Sequence, residues 1–457
     1  MNLGTALLHL GEARCHLRRI RSAIAAYERA LTVWRDDGSF RFRSILQLNL
    51  CTALARLGEA TADVEYLQRA VEASKLAATL ISRDDRPVDW ARNLMNLGNA
   101  LRNIGEIEGD AARLRQAVAV QVEAAAALAR PKFPADWARV QMSVGVSLLT
   151  LGDITADPGA LRGAIAAFRL ALGERRSDRL PGAWARASNN LGSALIRLAH
   201  ATADAGAARE ALAVLELTVE QSAEKGSRRD RATAQVNQAT ALVELGRLLD
   251  SEEVLRRAVH ASRAAVAESS DSLLPAERAT ARMNLGNALL ALGAITADRS
   301  LADEAVATEK WACSLLREGS AEWGIAMTNL SSSLRALAGM TRDAQLAREA
   351  LDVAQTSMSA ISRERAPVLS TRAAANAGRA LRRLCAMTDD LQEWRALASH
   401  ESSLLEAVSR LAWLSASVRE QLSWLEHAAG SALRLAASLQ RLERAEDALR
   451  AIQQGMA

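Results

Sequence analysis

Aromatic residues are nearly missing from this chain: four Phe, nine Trp and two Tyr make up only 3% of its 457 residues. Hydrophobic residues still reach 49%, so the interior has to be aliphatic and rich in small side chains. That balance argues against a β protein, which leans on β-branched and aromatic residues, and for close-packed helices. Lysine is scarcer still. Lys75, Lys132, Lys225 and Lys310 are the only lysines among 57 basic residues, the rest being arginine. Against 53 acidic residues the net charge is +4, and the acids interleave with the arginines, which describes a solvated helical surface better than a nucleic-acid footprint.

Cysteine is equally sparse. Cys15, Cys51, Cys313 and Cys385 lie far apart and make no C-x-x-C pair, which excludes a metal knuckle or redox motif and fits a reducing cytoplasm. Seven prolines and 25 glycines are too few for a linker or disordered tail. No run of about 18 apolar residues exists to form a spanning helix, and Met1 is not followed by a basic and then apolar leader. His9, His16, His200, His260, His400 and His427 are scattered, with no HExxH. No phosphate-binding glycine loop and no G-x-S-x-G elbow occurs. No nucleophile and base can be paired, so neither catalysis, cofactor nor metal is expected.

What the chain has in abundance is repetition. The phrase Asn-Leu-Gly-x-Ala-Leu-x-x-Leu-Gly recurs, and its first glycine column falls at Gly4, Cys51, Gly98, Gly145, Gly192, Ala239, Gly286, Ser331 and Gly378. Successive spacings are 47 six times, then 45, then 47. Three residues after that column stands leucine in every copy, from Leu7, Leu54 and Leu101 to Leu381. Three further on comes Leu or Ile, as at Leu10, Ile104 and Leu292. Steps of three and four mark one face of a helix. Nineteen residues after the column, alanine recurs at Ala23, Ala70, Ala117, Ala164, Ala211, Ala258, Ala305 and Ala350. Seven later it is mostly alanine again, giving a second helix with a small-residue seam.

The punctuation agrees. Asp63, Asp110, Asp157, Asp204, Asp298, Asp343 and Asp390 stand where the second helix should start, as caps for orphan N–H groups. Pro158 follows Asp157 in the first-turn slot where proline is tolerated. Pro87, Pro134, Pro181, Pro275 and Pro367 share one column eleven before the glycine and mark the start of the first helix.

This order of Trp, Asn-Leu-Gly-x-Ala-Leu and paired alanines resembles the tetratricopeptide repeat (TPR), with Gly98 at its helix-one glycine and Ala117 and Ala124 at its helix-two alanines. The resemblance covers residues 1 to about 400. It implies an all-α fold, a right-handed α-solenoid of about nine to ten helix–turn–helix repeats, and a repeat region at 1–400. An irregular helical repeat or cap is expected at 401–457. The usual unit has 34 residues; about seven of the extra ones are expected in the turn between the helices, Glu106 to Asp110 in the third repeat. Near the end, Ala448-Leu449 to Gln454-Gly455-Met456 resembles the phrase that closes the last helices before the caspase-like CHAT domain of bacterial TPR–CHAT proteins, with Met456 in place of the usual arginine. That likeness implies a bacterial chain that is the repeat region, or a stand-alone partner, of a CHAT-type protease. Gly4 has three residues before it where other copies have about eleven, so an upstream part is missing or the first repeat is half-built.

The binding face is read from the first helix. Asparagine recurs two before the glycine column at Asn2, Asn49, Asn96, Asn190, Asn237, Asn284, Asn329 and Asn376. Four earlier stands arginine at Arg92, Arg139, Arg186 and Arg372, and one after the glycine come Asn99, Ser193, Thr240 and Asn287. At 100° per residue these offsets share a narrow arc, opposite the leucines. The TPR resemblance implies that Arg92, Asn96 and Asn99 and their equivalents Arg139, Arg186, Asn190, Asn237, Asn284 and Asn287 clamp an acidic peptide or protein. Asparagine can pair with an extended backbone and arginine with carboxylates. The competing reading is that the asparagines only satisfy groups between helices. Trp90, Trp137, Trp184 and Trp323 fall on the leucine face and belong to the core; Cys51 and Cys385 are small buried substitutes for glycine. The expected function is a protein-interaction scaffold or sensor, and the alternative a nucleic-acid-binding solenoid using its arginines.

Overall fold

The computed structural model describes residues 2–14, 16–33, 40–155, 157–174, 180–225, 228–268, 275–361, 367–414, 418–442 and 447. Among the described residues every regular element is an α-helix, and the stacked hairpins form an all-α repeat solenoid of TPR-like build. The chain divides into two compact units, one of residues 1–154 with 159–179, the other of 155–158 with 180–457. The first carries α1 (Asn2–Arg14), α2 (Leu17–Val33), α3 (Phe40–Thr61), α4 (Val64–Ala78), α5 (Pro87–Glu108), α6 (Ala111–Ala126) and, but for a residue or so at their junction, α7 (Pro134–Thr155) and α8 (Pro158–Glu174). The second carries α9 (Pro181–Thr202), α10 (Ala205–Lys225), α11 (Arg228–Leu249), α12 (Glu252–Glu268), α13 (Pro275–Thr296), α14 (Arg299–Ser314), α15 (Ala321–Thr341), α16 (Ala344–Ala360), α17 (Pro367–Thr388), α18 (Leu391–Leu414) and α19 (Val418–Arg441).

Odd-numbered helices are the first of each hairpin and even-numbered ones the second. Within the first unit α1 to α6 each pack on their chain neighbours, and within the second α9 to α19 do the same. In addition, first helices pack on the next first helix, as α3 on α5 and, in the second unit, α9, α11, α13, α15 and α17 in succession.

The turn inside each hairpin is minimal. A residue in the left-handed region ends the first helix: Ala62, Gly109, Ala203, Asp250, Ala297, Arg342 and Asp389, with φ between 48° and 68°. The next residue caps the second helix. Asp63 accepts from the Glu65 N–H at 2.9 Å, Asp110 from Arg113 at 3.1 Å, Asp298 from Ser300 at 2.8 Å and Asp343 from Gln345 at 2.8 Å. Hydrogen bonds from Ser300 hold the Asp298 carboxyl below its usual range. The expectation of a long turn at Glu106–Asp110 fails. The first helix α5 runs on to Glu108, leaving only Gly109 and Asp110 outside helix. Its apolar period continues into Ile104 and Ile107, and Glu106 and Glu108 are good helix formers, so nothing stops it before the glycine.

Small residues set the interhelical seam. Ala23, Ala70, Ala117, Ala164, Ala211, Ala258, Ala305 and Ala350 have no exposed surface at all. Nor have Ala77, Ala124, Ala171 and Ala312 one heptad later. Trp90, Trp137 and Trp323 are half-buried and packed on core clusters. Cys51 and Cys385 are fully buried, their thiols pushed up by burial to about 12 and about 11. The Ala448–Met456 phrase lies outside the described residues, as does the side chain of Asn2. Among the described residues no helix is long and apolar enough to cross a membrane.

Candidate functional site: the polar face of the first helices

The asparagine column sits half-buried along the first helices, Asn376 fully buried, and the amides of Asn96, Asn284 and Asn376 are spent between repeats. Asn96 on α5 donates to the Thr52 hydroxyl of α3 at 3.0 Å. Asn284 on α13 does the same to Thr240 of α11 at 2.7 Å and also reaches the Val236 carbonyl at 3.4 Å. Asn376 on α17 donates to the Thr328 carbonyl of α15 at 3.2 Å, while Ser332 donates to Asn376 Oδ1 at 3.1 Å. In each case the hydroxyl partner is 44 residues away, so the hydroxyl one position after the glycine column meets the asparagine of the next repeat. The hydroxyl's own proton goes back to its i−4 carbonyl, as Thr52 to Leu48 and Thr240 to Val236. Asn99 accepts from Gln121 of α6 at 3.0 Å, and the Asn287 carbonyl accepts from Arg247 at 3.4 Å. Asn190 on α9 and Asn237 on α11 occupy the same half-buried column.

The arginines behave differently. Arg92 and Arg139 are exposed and line one cleft between α5 and α7 with Asp136, Met95, Leu128 and Val140. At about 10 Å³ the cleft holds no more than a single water. Each guanidinium meets an acid one turn back, Arg92 with Asp89 at 3.8 Å and Arg139 with Asp136. Such exposed pairs contribute little and leave the donors available. Arg186 projects from α9 in the second unit, also exposed.

Away from that face three arginines and a lysine are tied to acids on neighbouring second helices. Arg69 pairs with Glu28, Arg263 with Glu304 at 2.6 Å, Lys310 with Glu349 at 2.9 Å and Arg348 with Glu393 at 3.5 Å. The interleaving of charge in the sequence is here a lateral lacing of α2 to α4, α12 to α14, α14 to α16 and α16 to α18.

A further column escaped sequence reasoning. The residue 23 positions after the glycine column, on the second helix, fills the space that the missing side chain leaves. A Cβ on Gly192 would stand 2.7 Å from Leu215, and one on Gly286 would stand 2.6 Å from Glu309; Gly98 faces Gln121 and Gly145 faces Phe168 in the same way. Where the column holds Cys51, Ala239 or Ser331, the partners are Ser74, Ser262 and Ala354. All of these partners are buried. The size exchange is visible once both columns are set side by side, but only the hairpin geometry says they touch. It places two carboxylates in the interior. Glu401 is held by Arg382 and Arg434. Neither oxygen of Glu309 meets a well-formed hydrogen-bond partner; burial pushes its carboxyl up to about 8, opposed only by the nearby Ser333 hydroxyl. Among the described residues no group of three or more His, Cys, Asp or Glu is placed to hold a metal.

No protein-family model matches the chain, and no curated protein matches it either. Among solved structures it is similar to a Rap protein complexed with Competence and Sporulation Factor, at 12% identity and TM-score 0.46, over 90% of this chain and 96% of that one. It is similar to the apo form of RapI at 14% identity and TM-score 0.41, with the same coverage. Human IFIT1 as a dimer with PPP-AAAA overlaps at 12% identity and TM-score 0.34, over 92% and 94%. With each of these TM-scores below 0.5, the chain's own geometry has to carry its functional reading.

Proposed function

We propose that the chain is a protein-interaction scaffold that recognises an acidic peptide or protein segment on the polar face of its first helices. The observation that carries this is the convergence of Arg92 and Arg139 on one cleft of α5 and α7, both with exposed guanidiniums. In the second unit Arg186 offers an exposed donor at the equivalent position of α9. On this reading Asn96 and Asn99 in the first unit, and Asn190, Asn237, Asn284 and Asn287 in the second, add polar groups to the same face of their own first helices. The bonds from Asn96 and Asn284 to Thr52 and Thr240 favour a structural share for that column, so the arginines carry the ligand charge.

On this reading residues 1–400 are the recognition region and 401–457 a closing helical element, with no catalytic residue in either. The CHAT-like phrase at Ala448–Met456 supports a bacterial, cytoplasmic setting in which the scaffold regulates a CHAT-type protease in cis or in trans. The nucleic-acid alternative finds less support, because the lacing of arginine to glutamate between second helices removes much of the free positive charge. The test is fluorescence anisotropy with labelled Glu-rich and Lys-rich peptides. Wild type should bind the acidic peptide, and Arg92→Glu with Arg139→Glu should lose it while keeping the helical circular-dichroism spectrum. Equal binding by the double variant would refute this face.

A further inference from the structure

Many described arginines meet a carboxylate one to one, but one cluster in the second unit shares a single carboxylate among several guanidiniums. Arg379, Arg382 and Arg383 lie at i, i+3 and i+4 on α17 and so share one face. Arg335 of α15 stands 47 residues before Arg382, at the same place in the preceding first helix, and Arg434 joins from α19. Gly339 makes room for this packing: the Arg383 guanidinium carbon lies 3.1 Å from where a Cβ on Gly339 would be. The negative charge available is that of Glu401 on α18, 1% exposed, which takes a bond from Arg382 and one from Arg434 Nε at 3.4 Å. Arg434 spends another donor on Ser431 Oγ at 2.7 Å. The neighbouring His400 adds no charge relief, its Nε2 facing the Ala374 carbonyl at 2.8 Å.

Arg335, Arg379 and Arg383 make no ion pair with any described residue, and Arg335 Nε is buried without an acceptor. Five guanidiniums against one carboxylate leave an excess of four positive charges in a small volume. The crowding registers on the side chains themselves. Arg335 is held below its usual range by burial and then by Arg379 and Arg383. Arg379, whose side chain reaches the surface, is lowered by partial desolvation and then by Arg434 and Arg382, with Glu401 opposing. Such an arrangement is unfavourable as it stands and is relieved by a bound anion.

We propose that Arg335, Arg379 and Arg383, backed by Arg382 and Arg434, form a binding site for a multiply charged phosphoryl group, a di- or triphosphate chain. A single carboxylate would cancel one charge of four, whereas a polyphosphate carries several charges on oxygens that planar guanidinium forks grip in pairs. The site uses residues other than Arg92 and Arg139, so it stands or falls independently of the peptide-binding face.

The experiment is calorimetric titration and thermal melting of the full chain with inorganic tripolyphosphate in phosphate-free buffer, with ATP and citrate in parallel. Wild type should bind tripolyphosphate saturably at one equivalent and melt several degrees higher. ATP at equal affinity assigns the site to the phosphate chain alone, and tighter ATP binding assigns it to a nucleotide; both outcomes support it. Arg335→Gln with Arg379→Gln and Arg383→Gln should lose at least about tenfold in affinity, the loss of one or more charge-assisted pairs. Without ligand this variant should melt no lower than wild type, because it has shed internal repulsion. A milder pair, Arg335→Lys with Arg383→Lys, keeps the charge but loses the forks and should also bind more weakly. Arg69→Gln with Arg263→Gln, which touches only laced arginines, should bind as wild type does. No saturable binding, unchanged binding in both cluster variants, or citrate binding as tightly as tripolyphosphate would each overturn the proposal.

Discussion

Changing Glu309 to glutamine should remove a pH-dependent liability from the interior of the second unit. Glu309 lies on α14 with no exposed surface, over Gly286 of α13. Its carboxyl titrates near 8 in the folded protein against 4.5 for the free group. Because the folded value is the higher one, the folded state holds the proton more tightly. The associated stability is therefore complete below about pH 4.5 and is lost as pH rises toward 8. Linkage puts the loss at about 3 kcal/mol between pH 4 and pH 7, with about 2.5 kcal/mol of it above pH 5.

Glutamine carries no such burden, and the protein already shows where its amide would go. Gln121 occupies the equivalent place over Gly98 and donates to Asn99 Oδ1 at 3.0 Å. Asn287 stands beside Gly286 as Asn99 stands beside Gly98, so Glu309→Gln has a ready acceptor. Urea denaturation of wild type and variant at pH 5, 6, 7 and 8 isolates this group from the other carboxylates. The stability gap should widen in favour of the variant by about 2.5 kcal/mol from pH 5 to pH 7. A gap that stays flat across that range would refute the reasoning, for it would mean that Glu309 is ionised and solvated in the folded state.

Other consequences are simpler to read. Ala203 ends α9 in the left-handed region at φ 52°, where a Cβ costs roughly 1–2 kcal/mol. Ala203→Gly, matching Gly109 at the same place, should raise the unfolding free energy by about 1 kcal/mol, read as a higher urea midpoint at unchanged m; a lower midpoint would mean that chain flexibility outweighs strain. Gly192→Ala puts a methyl 2.7 Å from Leu215 and should cost about 1–3 kcal/mol by overpacking. Pairing it with Leu215→Ser, the combination seen at Ala239 and Ser262, should recover part of that loss in a double-mutant cycle.

Much of this architecture is legible without coordinates because each signal is local. Leucines at steps of three and four, proline at the first helical position and aspartate before the second helix act within a turn or two of themselves. Those positions start and cap the helices as their chemistry requires. Alanine recurring every 47 residues reports a close seam, since no larger side chain fits at zero exposure. The expected long turn failed for a related reason. A count of extra residues does not say where they go, and a good helix former extends a helix until a left-handed residue stops it.

The site was legible only in part. Sequence periodicity places Arg92, Arg139 and the asparagines on one arc, but two uses of an amide look identical in a sequence. Only the packing of successive first helices shows Asn96 and Asn284 reaching Thr52 and Thr240, 44 residues earlier, while the arginines stay exposed. The same limit hid the fit of Glu309, Gln121 and Phe168 into glycine gaps, and the gathering of Arg335, Arg379, Arg383 and Arg434 from three helices. The sequence by itself determined which residues form helices, where those helices begin and which face is apolar, because these follow from neighbours a few positions away. Tertiary structure decided which polar groups are spent on one another and which charges go unanswered. Hydrogen bonding and desolvation between residues tens of positions apart depend on distances that exist only once the hairpins stack.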